Sequence, residues 1–318
     1  MGIRVESPGI QTTVQDEGRF GYQQFGVSPA GPMDRRAFHI ANILAGNDRT
    51  EAALEMTFQG ADLVFEQENI IAITGGDLSP RINGNPVDMY RALEVKEGDL
   101  LSFGFASGNG CRAYVAVSGG LEVPVVMGSK STLMRNQLGG VKGRKLEKGD
   151  RIGFRSPKSR LNQMDRRILK PERYWGQEIV LRVVTGSQDT EFEEEEIRKF
   201  FWYSAVITNE FDRMGCRLER KEPLRHKKDG NIITDGIAFG SIQVPTNGQP
   251  IIMLADRQST GGYTKIGTVI SVDLPRLVQS VPGNRVRFVR VGIELAQSLY
   301  IREVEELNQL EADLNRKE

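Results

Sequence analysis

Gly, Pro, Asn and Asp interrupt the apolar runs of this chain every few residues, and that spacing leaves little room for long helices. The 318 residues include 35 glycines and 13 prolines. Between the breaks lie short, apolar, β-branched segments whose length suits strands. The candidates are Leu63–Glu66, Asn69–Thr74, Asp99–Phe105, Cys111–Ser118, Asp150–Phe154, Glu178–Thr185, Ser204–Thr208, Ser241–Val244, Pro250–Ala255, Gly267–Val272 and Asn284–Arg290. Turn signals such as Asn83-Gly84-Asn85-Pro86 separate them.

One device recurs. Glu97-Gly98-Asp99, Lys148-Gly149-Asp150 and Pro282-Gly283-Asn284 each launch a segment with alternate apolar residues. Gly and Asn tolerate the positive φ that tight turns require. A second echo links Ile73-Thr74-Gly75-Gly76-Asp77 with Val184-Thr185-Gly186-Ser187-Gln188-Asp189. The echoes fit either two related barrel-like lobes or the same turn chemistry met independently.

Three helices are expected. The first is Met33–Ala45, apolar on one face and ended by Gly46. The second is Asp189–Phe201, whose acidic run from Glu193 to Glu196 falls in its early turns, where the helix dipole favours negative charge. The third runs from about Gly292 to Asn315, with leucines at roughly helical spacing. The expected fold is therefore mainly β with a few helices. If the echoes mark two lobes, these fall at about 1–160 and 161–291, followed by a C-terminal helix at 292–318, with a linker near Ser156–Pro171.

Lys+Arg and Asp+Glu both number 42, so the net charge is zero. Binding a phosphate backbone needs a basic excess, so nucleic acid is not an expected partner. The two cysteines, Cys111 and Cys216, rule out a disulfide framework and favour a cytoplasmic setting. The N-terminus has no apolar h-region, so a signal peptide is not expected, nor is a transmembrane span.

Several catalytic motifs are missing. The nearest approach to a P-loop, Gly128-Ser129-Lys130-Ser131, lacks both required glycines. No Gly-x-Ser-x-Gly elbow and no Met-Lys-Met biotinylation site occurs, and with only His39 and His226 a metal site is not expected. The chain reads as part of an enzyme without its own nucleophile–base pair.

Three constellations remain. Gln11 to Tyr22, continuing through Gly31-Pro32-Met33-Asp34, crowds glycines and small polar residues before a helix. Free N–H groups at that helix start can receive an anion, or Asp34 can cap them. Asp256-Arg257-Gln258-Ser259-Thr260-Gly261-Gly262-Tyr263 follows the apolar run Ile251–Leu254. It reads as a Gly-rich turn able to form an anion-binding nest, with Arg257 placed to pair with a carboxylate, or as a surface turn with an internal Asp–Arg pair. Asp212-Arg213-Met214-Gly215 reads as a second such turn, functional or merely solvated.

Together these motifs resemble the allophanate hydrolase subunit 2, or biotin-dependent carboxyltransferase, family. The resemblance covers Thr13-Val14-Gln15-Asp16 through Gly31-Pro32-Met33-Asp34 to Ala41-Asn42, then Asp212-Arg213-Met214-Gly215 and Gln243-Val244-Pro245. It ends with Asp256 to Tyr263 followed by Lys265-Ile266-Gly267. It implies two cyclophilin-like β-barrel lobes and three possible settings. These are one component of an ATP-dependent 5-oxoprolinase complex, the carboxyltransferase part of urea carboxylase, and a regulator of a sporulation-kinase inhibitor. Stand-alone length favours the first. Urea-carboxylase relatives tend to carry Asn where this chain has Asp212, Ser259 stands where Thr is commoner, and Cys216 stands where an aromatic is frequent.

The resemblance further implies a smaller homologous partner (the B-type subunit), a ring-opening partner (the A-type subunit), and ATP at a site either shared between subunits or held by one of them. No biotin is expected on this chain. Asp212, Arg213, Asp256 and Arg257 are the expected catalytic residues. Gln258, Thr260, Gly261, Gly262, Tyr263, Gln15 and Asp34 are the expected substrate-binding residues.

Overall fold

The structure, a computed structural model, describes residues 1–108, 110–173 and 176–315. Its backbone forms two compact units. Unit 1 comprises Met1–Phe20, Ala30–Tyr174 and Glu305–Glu318; unit 2 comprises Gly21–Pro29 and Trp175–Val304. The division thus falls at 174/175, and nine residues near the N-terminus belong to unit 2.

In unit 1 the strands are β1 (Gly2–Ser7), β2 (Gln11–Gln15), β3 (Ala53–Thr57), β4 (Asp62–Phe65), β5 (Asn69–Gly75) and β6 (Arg81–Ile82). They continue with β7 (Asn85–Pro86), β8 (Ala92–Val95), β9 (Leu100–Ser102), β10 (Arg112–Val117), β11 (Leu121–Glu122) and β12 (Arg151–Phe154). One sheet has the order β11-β12-β1-β4-β9-β6-β7 and the other β2-β3-β10-β5-β8. Residues of both sheets share one apolar core, which includes Ile3, Phe65, Ile73, Val115 and Ile152. Helix α1 (Arg35–Leu44) covers the other face of the second sheet through Phe38 and Leu44, against Ala72, Tyr114 and Ala116. That sheet is therefore buried on both faces, and β5 and β10 read as continuous apolar runs rather than alternating ones.

Unit 2 closes into a barrel. Its strands are β13 (Glu178–Thr185), β14 (Ala205–Phe211), β15 (Gly215–Glu219), β16 (Asn231–Gly236), β17 (Ser241–Val244), β18 (Ile251–Met253), β19 (Thr260–Val269) and β20 (Arg285–Arg290). The order β13-β20-β14-β15-β18-β17-β19 returns to its start because β19 also pairs with β13, Val183 opposite Val269. β16 adds to the first half of β19. Closure removes the exposed sheet edges that invite aggregation. Helix α2 (Glu194–Trp202) packs on β20 by stacking Phe200 on Phe288, centroids 4.4 Å apart. Short α3 (Leu274–Val278) and long α4 (Ile293–Asn315) follow. The last turns of α4 belong to unit 1, where Leu307 and Leu314 join the α1 cluster.

The expectation of a mainly β chain with a few helices and β lobes is met. The threefold Gly-Asp/Asn echo is a structural repeat. Gly98, Gly149 and Gly283 take φ of 89°, 88° and 90°. In each turn the following Asp or Asn accepts from the N–H three residues back: Lys96 to Asp99 at 2.7 Å, Glu147 to Asp150 at 2.8 Å and Val281 to Asn284 at 3.0 Å. Positive φ at the third turn position is the type II geometry. The second echo is looser: Gly75 has φ 87°, whereas Gly186 does not enter that region.

Some expectations need correction. Asp189–Phe201 is not one helix: a 3-10 turn at Asp189–Glu191 precedes α2. Ser156–Pro171 is not a free linker, because Arg167 from it is buried. Arg167 donates to the carbonyls of Ile43 at 2.8 Å and Leu314 at 2.7 Å, satisfying the ends of α1 and α4. Among the described residues, no helix is long and apolar enough to cross a membrane.

Candidate functional site

Gln15, Asp16 and Asp34 lie in unit 1, where all three serve the fold. The Gln11–Gln15 stretch is strand β2. Gln15 is fully buried; its Nε2 donates to Thr13 Oγ1 (3.0 Å) and to the Thr132 carbonyl (3.2 Å), and its Oε1 accepts from Gly31 N–H (3.2 Å). Gly31 takes φ 90°, and a Cβ there would lie 2.9 Å from the Glu17 carbonyl oxygen, so a side chain is excluded twice over.

Asp34 settles its alternatives as a cap. Its Oδ1 accepts from Ala37 N–H (3.0 Å) at the start of α1, and the residue is 0% exposed. Its own N–H donates to the Tyr114 hydroxyl (2.7 Å), which in turn donates to Glu55 (2.8 Å); Glu55 also accepts from Met33 N–H (2.8 Å). Burial pushes the Tyr114 phenol well above its ordinary range, so it remains a neutral donor. Gly31-Pro32-Met33-Asp34 is thus the seat of a helix start.

The P-loop-like run is structural as well. Asp16 accepts from Lys130 N–H (2.6 Å) and from the hydroxyls of Ser129 (2.5 Å) and Ser131 (2.6 Å). The Lys130 ammonium pairs with Glu51 at 2.6 Å and donates to the Leu121 carbonyl at 3.0 Å.

The other nine expected residues all fall in unit 2 and divide into two groups. Asp212 heads the turn between β14 and β15. Its Oδ1 accepts from the N–H groups of Met214 (2.7 Å) and Gly215 (3.1 Å), a local role suited to its short side chain. Arg213, 4% exposed, makes two hydrogen bonds to buried Asp256: Nε to Oδ2 at 3.0 Å and Nη2 to Oδ1 at 2.8 Å. Arg257, 9% exposed, donates to the carbonyls of Ile237 (2.9 Å) and Leu254 (3.2 Å) and lies 5.7 Å over the Phe239 ring. These buried cations are engaged with protein groups, so they brace the walls rather than face the solvent. Ser28 Oγ adds a bond to the Arg257 carbonyl at 2.5 Å.

The Gly-rich nest is a correction. Thr260, Gly261, Gly262 and Tyr263 begin strand β19, whose Thr260, Gly261 and Tyr263 pair with Gly236, Asp235 and Asn231 of β16. Neither Gly261 nor Gly262 takes positive φ. Gly261 is required by crowding instead: a Cβ there would lie 2.6 Å from Gln243 Nε2 and 2.8 Å from Ile237 Cδ1.

These elements frame a cleft of about 480 Å³. Asp212, Gln258 and Tyr263 line it over an apolar floor of Ile251 and Met253, with Gln243 beside them. Cys216, Leu218 and Ile252 are buried while the alternate residues Gly215, Arg217, Ile251 and Met253 line the cleft, which therefore lies on the outer face of the barrel wall. At its rim Arg217 pairs with Glu210 at 2.8 Å. The sequence reading missed Gln243 and the floor residues as site members. The signal for Gln243 was a polar side chain inside the otherwise apolar run Ile242-Gln243-Val244. The cleft offers hydrogen-bonding groups above an apolar base, the composition of a small-molecule site. Among the described residues no cluster of His, Cys, Asp and Glu is arranged to hold a metal.

Comparison with known proteins gives this geometry a family. The carboxyltransferase domain, subdomain A and B, matches residues 25–290. The chain is 37% identical over 295 residues to the C subunit of 5-oxoprolinase from Escherichia coli (strain K12), covering 92% of this chain and 93% of that protein. It is 32% identical over 317 residues to urea amidolyase of Lachancea kluyveri, covering 93% of this chain but 17% of the relative. The solved urea carboxylase of Kluyveromyces lactis matches with a TM-score of 0.89 at 29% identity, covering 100% of this chain and 30% of that one. In sequence and in fold alike, this chain belongs to the carboxyltransferase domain, subdomain A and B, family.

Proposed function

We propose that this chain is the C-type subunit of an ATP-dependent 5-oxoprolinase complex, which hydrolyses 5-oxo-L-proline to L-glutamate as ATP goes to ADP and phosphate. The observation that carries this reading is the reciprocal, nearly full-length match to the C subunit of 5-oxoprolinase, 92% of one chain against 93% of the other. Urea amidolyase is instead matched over 17% of its length.

The chemistry fits a positioning role. A lactam resists water because nitrogen donates into its carbonyl. Phosphorylation of the lactam oxygen removes that protection; one water then adds to the ring carbon and the C–N bond breaks as nitrogen takes a proton, leaving an acyl phosphate from which a second water releases phosphate. Such transfers depend on orientation and charge stabilisation more than on covalent catalysis. In this reading the cleft in unit 2 holds the substrate. Asp212, Gln258 and Tyr263 touch it, and Arg213, Asp256 and Arg257 keep the walls in place. The nucleotide is bound with a smaller homologous partner, another component opens the ring, and the complex works in the cytoplasm.

The family's carboxyltransferase description supports a second reading, carboxyl transfer from a biotinylated carrier supplied by another chain. One assay separates the two. The chain is mixed with the two partner subunits, and ADP and glutamate are followed with and without 5-oxoproline. Coupled release of both, lost when this chain is omitted, supports the oxoprolinase. Activity that appears only when a biotinylated carrier is added supports carboxyl transfer, and a stable complex with neither activity leaves a regulatory binder.

A further inference from the structure

Gln243 sits in β17 between Ile242 and Val244, which are fully buried, and is itself 4% exposed. It lines the cleft. Its Nε2 is closed to solvent and has no hydrogen-bond partner among the described residues. Gly261 opposite supplies the room for that amide, since a Cβ there would come within 2.6 Å of Nε2. A buried donor without an acceptor destabilises a fold, and an apolar side chain of the same size would avoid that cost. An amide kept at such a position, on the wall of a cleft, is a group waiting for a ligand.

We infer that Gln243 recognises the substrate by amide-to-amide pairing with a molecule carrying N–H and C=O side by side on one edge, as a lactam or a urea does. A primary carboxamide presents one acceptor and two donors at its tip, the complement of that edge. A carboxylate offers acceptors only and an ammonium donors only, so neither satisfies both halves. The terminal torsion of Gln is broad, and rotation about it turns the amide toward the cleft. The Ile251 and Met253 floor suits ring methylenes, which favours the lactam. This inference rests on placing the substrate of the proposed function in this cleft; it adds the residue that selects the amide edge.

The test uses the full chain and its Gln243→Leu and Gln243→Met variants, titrated by ligand-observed NMR. The probes are 5-oxo-L-proline, 2-pyrrolidinone, urea and, as a control without the ring carbonyl, L-proline. Wild type is expected to prefer the amide-edge probes to L-proline by about tenfold or more, and both variants to lose that preference at an unchanged or raised unfolding midpoint. Urea ahead of the lactams keeps the pairing and names urea as the source of the edge. Equal lactam binding by wild type and Gln243→Leu overturns the inference while a working oxoprolinase complex leaves the proposed function intact. A lowered midpoint marks the amide as structural and also overturns it. Failure of wild type to bind any probe removes both the inference and the placing of substrate in the cleft.

Discussion

Arg213 and Asp256 face each other as a two-pronged ion pair, 3.0 and 2.8 Å, with both residues at least nine-tenths buried. The backbone reinforces them: Asp256 N–H donates to the Arg213 carbonyl at 2.8 Å, and Leu254 N–H to that of Met214 at 2.9 Å. The pair ties the Asp212–Gly215 turn to the end of β18, and both segments frame the cleft.

Arg213→Ala leaves the Asp256 carboxylate buried without its cation. The expected loss of stability is about 3–5 kcal/mol, and Arg213→Ala combined with Asp256→Ala should recover part of it. Urea unfolding of the three variants measures both effects. Additive losses in the double variant would dissolve the pair as a unit.

Gly261→Ala places a methyl against the flexible ends of Gln243 and Ile237, at 2.6 and 2.8 Å. Those ends can give way, so stability should fall by only about 1 kcal/mol. The site should suffer more, with substrate turnover by the assembled complex down about tenfold because the amide is displaced. Parallel thermal unfolding and turnover assays separate the two effects.

Lys130→Met tests whether the P-loop-like run handles nucleotide. Its ammonium is paired with Glu51 in a setting where both side chains are about nine-tenths buried. Removing it should cost about 3 kcal/mol of stability, as for a broken buried pair. The KM for ATP of the assembled complex should stay at the wild-type value; a several-fold rise would place Lys130 at the nucleotide.

His226 gives unit 2 an acid-sensitive contact. Burial lowers its pKa from the ordinary value, the hydrogen bond to the Val244 carbonyl (3.0 Å) opposes that, and its ring lies 4.8 Å from that of Phe192. A depressed folded-state value means that the fold favours the neutral ring. Its contribution is therefore present above about pH 6.5, the unfolded value, and is lost as pH falls through the folded one. Stability measured from pH 7.5 to 5 should decline less steeply in His226→Gln than in wild type.

Turn chemistry was the most legible part of the sequence, because Gly followed by Asp or Asn specifies both a backbone conformation and a side-chain acceptor. That is why the turns at Gly98, Gly149 and Gly283 repeat so closely. Strands such as β13 and β17 were legible from their apolar residues. β3, with Ala53-Leu54-Glu55-Met56, was not, since these are helix formers that sheet packing overrides. β2 was missed because Thr12, Thr13 and Gln15 look like loop residues until their buried partners are known. β1, β8, β15 and β16 also escaped the sequence reading.

The site was legible as a set of segments and less so as roles. Asp212, Gln258 and Tyr263 do line one cleft. Arg213, Asp256 and Arg257 read equally well in the sequence as charges for catalysis or as an internal Asp–Arg pair, and their burial and the Arg213–Asp256 pairing are visible only in the structure. The glycines Gly261 and Gly262 suggested a turn, but the first is small because Gln243 needs the space. No periodicity predicts that kind of close approach between two strands.

The most direct test of the account is 5-oxoproline-dependent ADP release by the three-component mixture with the Tyr263→Ala chain in place of wild type. Tyr263 lines the cleft and is 41% exposed, so the unfolding midpoint should not move. The account predicts release at least about tenfold below wild type with the complex still assembled. Wild-type release from that variant, or release that persists with the chain omitted, would contradict it.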